Sequence, residues 1–132
     1  MQLCALAGLD APRTQRPPRI LVVEDDIESW NLIQRAVYTA LPDAAIQWAS
    51  DAASARLALE SCRFDAVVAD YMLEDASNGW AVLTECRRLQ PDARVGMTSS
   101  LPIRPPRGQE CPFLRKPFEI ETCAEFMARL LE

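Results

Sequence analysis

The chain contains no histidine. Any step that needs an imidazole must borrow it from another molecule, and a Cys–His zinc set has no His to complete it. Five cysteines (Cys4, Cys62, Cys86, Cys111 and Cys123) form no Cys-x-x-Cys pair and are odd in number, which reads as buried thiols in a reducing cytoplasm. Only four glycines are present and none sits in a Gly-x-Gly-x-x-Gly loop, so nucleotide and flavin binding are weakly supported. No apolar run approaches the ~20 residues of a membrane span. The opening MQLCALAGLD lacks a basic flank and is too short for a signal peptide. Basic residues are also in deficit, with 14 Lys and Arg against 19 Asp and Glu for a net charge of −5. Nucleic-acid binding needs a basic face, so that class is disfavoured, whereas an acidic excess suits a protein that binds a divalent metal.

What remains is ordinary for one globular domain: 132 residues, 49% hydrophobic and 25% charged. Four short apolar runs end in residues that carry chemistry. Ile20-Leu21-Val22-Val23 leads into Glu24-Asp25-Asp26, and Ala66-Val67-Val68-Ala69 into Asp70. Arg94-Val95-Gly96-Met97 leads into Thr98, and Phe113-Leu114-Arg115 into Lys116-Pro117. Short runs rich in Val and Ile read as buried strands. If they lie parallel in one sheet, their carboxyl ends share the edge where open α/β sheets bind ligands. That edge would carry a carboxylate cluster, a hydroxyl and an ammonium, a set suited to holding Mg²⁺ beside a phosphoryl group.

Helical periodicity fills the intervals. Trp30, Ile33, Val37 and Leu41 place a helix over 28–41, ended by Pro42-Asp43. Ile46 to Ala49 is a short strand. Ser50 or Asp51 caps a second helix to about Cys62, with Ala55, Leu59 and Cys62 inward. Asn78-Gly79 opens a third helix to about Gln90, with Val82, Leu83, Cys86 and Leu89 inward. Residues 118–131 form a closing helix with Ile120, Cys123, Met127 and Leu130 inward. Alternating strands and helices imply a parallel sheet covered on both faces by right-handed crossovers. Residues 1–19, with Pro12, Pro17 and Pro18, read as a flexible tail, and 20–132 as the domain.

Taken together, ILVVEDD, AVVADYML, Thr98 after a buried strand, and Lys116-Pro117-Phe118 resemble the receiver domain of two-component response regulators over residues 20–131. The intervals from Asp25 to Asp70 and from Asp70 to Thr98 suit that family. The resemblance implies a doubly wound five-stranded parallel sheet, flavodoxin-like, in the order 2-1-3-4-5. It implies that Asp70 is the phosphoacceptor and that Asp25 ligates Mg²⁺ directly. Glu24 would act through a bound water, with the backbone carbonyl of Met72 as a further ligand. Thr98 matches the hydroxyl that moves to the phosphoryl oxygen, Lys116 the ammonium that pairs with it, and Phe113 the aromatic switch position. The implied partner is a sensor histidine kinase or a histidine phosphotransfer protein; the output partner and homodimerisation stay open. Such a protein catalyses only its own phosphorylation and dephosphorylation. Asp26 reads instead as a helix-start charge.

The chain departs from the family pattern in two places. After Asp70, Glu74 stands where many relatives have proline, and Gly79 comes one residue late. The larger departure is SSLPIRPPRGQECP at 99–112, where the family places its fourth helix. Pro102, Pro105, Pro106 and Pro112 are spread through it, and an interior proline costs a helix about 3 kcal/mol. The fourth helix is therefore expected to be absent or reduced to one turn. Sheet surface left bare would then need covering by this loop, by residues 1–9 or by a partner. Two other readings compete: a binding module of the same fold that no longer uses phosphorylation, and a phosphatase of the haloacid dehalogenase type. The latter wants a second Asp two residues after the first, where this chain has Met72.

Overall fold

The computed structural model describes residues 16–73 and 78–132. The strands are β1 (Arg19–Val23), β2 (Ala45–Ala49), β3 (Ala66–Asp70), β4 (Arg94–Ser99) and β5 (Phe113–Arg115). The helices are α1 (Ile27–Ala40), α2 (Ala52–Ser61), α3 (Gly79–Leu89) and α4 (Ile120–Leu130). All strand pairs are parallel, in the order β2-β1-β3-β4-β5. Sheet order and helix positions agree with the sequence reading to within a residue or two at most ends.

The two-residue period of a strand divides the core into two layers. Leu21, Val23, Val67, Ala69 and Met97 face α2 and α3, where they meet Ala55, Leu59, Val82, Leu83 and Cys86. Ile20, Val22, Val68 and Leu114 face α1 and α4, meeting Ile33, Val37, Cys123, Met127 and Leu130. Both faces of β1 and β3 are buried, which is why these strands are apolar throughout rather than alternating.

Short polar side chains start three of the helices. Asp26, Asp51 and Asn78 accept from the backbone N–H of Ser29, Ser54 and Ala81, satisfying donors that a helix start leaves open. Asp26 is thus the helix-start charge its position suggested. Its carboxyl is held below the ordinary range by the Ser29 N–H and then the Ser29 hydroxyl.

Arg16 pairs with Asp65 at 2.8 Å, and Asp65 also accepts from the Arg19 backbone N–H. Residues 1–15, most of the segment read as a tail, lie outside the described residues, as does Glu74 with residues 75–77. Cys86 and Cys123 are buried free thiols and Cys111 is a half-buried one, whereas Cys62 is disulfide-bonded and not the free thiol expected from the sequence. Burial pushes Cys86 up to about 11 and Cys123 up to about 12, so both stay protonated at neutral pH.

The expected loss of the fourth helix is seen. Residues 100–112 contain no helix; they run without regular structure to a turn at Arg107-Gly108, where Gly108 takes a positive φ of 82°. The loop itself helps cover the sheet, since Ile103 and Cys111 pack against the α2–α3 core layer. Arg87 on α3 holds its far end by donating to the Glu110 carbonyl at 3.2 Å. The Ser99 hydroxyl holds its near end by accepting from the Leu101 N–H at 2.9 Å.

Candidate functional site

Parallel pairing brings four strand ends to one edge. Asp70 ends β3 and lies in register with Thr98 on β4. Glu24 follows β1, its N–H bonded to the Ala49 carbonyl at 3.0 Å. Lys116 follows β5, its N–H bonded to the Ser99 carbonyl at 2.8 Å. Residues from four separate stretches of chain thus reach one place because each terminates an adjacent strand.

Glu24, Asp25 and Asp70 each offer a carboxylate oxygen within 4.8 Å of the others. The Lys116 ammonium donates to Glu24 Oε1 at 2.8 Å and to Asp70 Oδ2 at 3.2 Å. The other oxygens are also engaged. Glu24 Oε2 accepts from the Asp26 N–H at 3.2 Å, and Asp70 Oδ1 from the Met72 N–H at 3.3 Å. Glu24 is fully buried and Asp70 is 8% exposed, whereas Asp25 is half-exposed.

Burial pushes the Glu24 carboxyl up to about 7, with the Asp70 charge adding to the rise and Lys116 opposing it. Burial alone would lower the Lys116 ammonium. The hydrogen bond and charge of Glu24, with those of Asp70, outweigh it and hold Lys116 above its usual range. Lys116 thus pairs with two of the three clustered acids, and the more deeply buried of that pair resists ionising.

That shortage of positive charge, together with an all-oxygen donor set, fits Mg²⁺. The ion prefers oxygen ligands and is held by one or two carboxylates with retained waters. Glu24, Asp25 and Asp70 are the residues placed to hold it.

Thr98 is 1% exposed, and its Oγ1 is buried without a hydrogen-bond partner. A buried hydroxyl left unpaired costs about 1–3 kcal/mol, and such a group at a site edge is available to an incoming oxygen. Met72 is more than half exposed, two residues beyond Asp70 and bridged to Asn78. Phe113 stands on β5 in register with Met97 and is 39% exposed, so like Met72 it is turned to solvent.

Two supports were not foreseen. The Trp48 indole N–H donates to the Glu24 backbone carbonyl at 2.6 Å, and its ring stacks on Trp30 of α1 with centroids 5.2 Å apart. Gly79 packs so close that an added Cβ would lie 2.7 Å from the Asp70 carbonyl oxygen and 2.8 Å from Met97 Cε. The pairing of Trp48 with an acid 24 residues away has no local sequence signal. Gly79 was visible only as a turn residue.

No family profile matches the sequence, and no curated protein is a detectable relative. Solved structures do match. The receiver domain of the hybrid histidine kinase CckA is 24% identical, covering 86% of this chain and 99% of its own, with a TM-score of 0.72. The chemotaxis response regulator CheY4 of Vibrio cholerae is 19% identical, covering 87% and 99%, with a TM-score of 0.75. The HemR receiver domain of Leptospira biflexa is 23% identical, covering 87% and 94%, with a TM-score of 0.74. From Ile20 to the end of α4, this chain has the fold of response regulator receiver domains.

Proposed function

We propose that the chain is a phosphoacceptor of two-component signalling, taking a phosphoryl group onto Asp70 from a phosphohistidine on a partner kinase or phosphotransfer protein. The observation that supports it best is the meeting of Glu24, Asp25, Asp70 and Lys116 at one sheet edge, beside the unpaired Thr98 hydroxyl. A carboxylate oxygen of Asp70 attacks phosphorus. The P–O bond forms as the P–N bond to the donor imidazole breaks, and the imidazole, already protonated on its other ring nitrogen, leaves neutral. These 132 residues contain no histidine, so the phosphohistidine lies outside them.

Mg²⁺, when bound, neutralises phosphoryl oxygens and relieves the repulsion among the acids. Asp25 and Asp70 would hold it with the Met72 backbone carbonyl, and Glu24 would act through a bound water. Lys116 is the second cation of the site, positioned to exchange a carboxylate oxygen for a phosphoryl oxygen. Thr98 gains its missing partner in the same way, by donating to a phosphoryl oxygen. Phe113, at the outer end of the same β4–β5 pair, is the side chain whose exposure would report that change.

The test is intact mass after incubation with Mg²⁺ and acetyl phosphate, followed by a phosphohistidine donor. Gain of one phosphoryl group, lost in Asp70→Asn and with EDTA, is expected. No gain from either donor would leave the phosphorylation-independent binding module as the reading.

A further inference from the structure

The loop that replaces the fourth helix carries an independent feature. Leu101-Pro102-Ile103-Arg104-Pro105-Pro106-Arg107 contains Pro-x-x-Pro followed two residues later by Arg. Prolines at this spacing favour the polyproline II helix, which has three residues per turn and no internal hydrogen bonds. Residues 102–106 have no helical, turn or strand structure, and the first backbone bond beyond them, Gln109 N–H to the Pro106 carbonyl at 2.9 Å, belongs to the turn that ends the segment.

Three residues per turn sort the segment into three rows. Leu101, Arg104 and Arg107 form one row, and all three are exposed. Pro102 and Pro105 form the second, the first exposed and the other half-buried. The third row holds Ile103, which packs against the α2–α3 core layer, and Pro106, which is exposed. The segment rests on the protein through Ile103 and presents Leu101, Pro102, Arg104, Pro106 and Arg107 outward, with Pro105 half-buried.

Both ends are tied, by Ser99 to Leu101 and by Arg87 to the Glu110 carbonyl, so a partner would meet a segment already ordered. Among the described residues, neither Arg104 nor Arg107 makes an ion pair or a side-chain hydrogen bond. In a chain of net charge −5, this places two exposed guanidinium groups, three residues apart, on the proline-rich loop.

We infer that residues 101–107 are a docking segment for a partner protein with an aromatic-lined groove that reads polyproline II and an acidic rim that receives Arg104 and Arg107. Prolines stacked on aromatic rings supply the contact area, and the arginines set polarity along the groove. The inference goes beyond phosphoryl transfer and does not depend on it.

The experiment titrates the full chain with a purified SH3 domain that reads Pro-x-x-Pro-x-Arg, followed by calorimetry. Saturable one-to-one binding in the micromolar range is expected. Pro105→Ala should weaken it about tenfold or more, and so should the pair Arg104→Glu and Arg107→Glu, while Arg63→Glu elsewhere on the surface leaves it unchanged. Thermal unfolding of each variant checks that the domain still folds. Absence of binding at millimolar probe overturns the inference. Binding that falls with the arginines but is unmoved by Pro102→Ala and Pro105→Ala also overturns it, because charge alone would then account for the contact.

Discussion

Glu24 should destabilise the ion-free protein at neutral pH, and replacing it with Gln should stabilise it. The carboxyl is fully buried and titrates near 7, against 4.5 in an unfolded chain. The folded state therefore holds its proton more tightly than the unfolded state, and stability falls as pH rises from about 4.5 to about 7. At ~1.4 kcal/mol per tenfold change in proton affinity, the full loss is about 3 kcal/mol above pH 7. Gln keeps the shape and still accepts from Lys116, but it has no charge to bury. Glu24→Gln should thus exceed the parent by about 3 kcal/mol at pH 8, and the gap should close towards pH 5.

Lys116 and Asp26 do not disturb this window. Lys116 is held above its usual value of 10.5, so its contribution is complete below that pH and is lost only as pH rises through the folded value. Asp26 is held below 3.8, so its contribution is lost only as pH falls through the folded value. The assay is urea unfolding with EDTA at pH 5, 6, 7 and 8. Adding Mg²⁺ should stabilise the parent more than the variant, because a cation at the site offsets the buried charge. A variant no more stable than the parent at pH 8, or a gap that does not change with pH, would refute the reasoning.

Three further outcomes follow from the same geometry. Thr98→Val removes a buried hydroxyl with no partner, so it should stabilise the unphosphorylated protein by about 1 kcal/mol in urea unfolding. The same change should reduce the phosphoryl group retained in the acetyl phosphate assay. Gly79→Ala places a methyl group against the Asp70 carbonyl and Met97, so it should cost about 1–3 kcal/mol and lower the melting temperature. Trp48→Phe retains an aromatic ring against Trp30 but removes the indole N–H held by the Glu24 carbonyl. It should cost about 1 kcal/mol and weaken Mg²⁺ binding measured by calorimetry, whereas unchanged affinity would mean that the indole does not support the acidic loop.

Much of this site was legible because its residues terminate strands. A run such as Ile20 to Val23 is apolar at every position because both its faces are covered, as the strands of parallel sheets are. Parallel strands carry their carboxyl ends to one edge, so Glu24, Asp25, Asp70, Thr98 and Lys116 could be assembled from order along the chain. The lost helix was equally legible, because proline acts on the backbone locally and needs no tertiary context.

Only the tertiary structure decided which charges touch. Lys116 reaching Glu24 more closely than Asp70, Trp48 bonding the Glu24 carbonyl, and Gly79 pressed against Asp70 all join residues far apart in sequence, without a local pattern to announce them. It also decided what covers the sheet where the helix is missing, since Ile103 and Cys111 gain their role from the core layer beneath them. The sequence by itself determined the elements, their order and the chemistry at their ends, because propensity and periodicity are local. Distances, burial and the proton affinity of Glu24 depend on packing between elements, so they emerge only once the sheet is assembled.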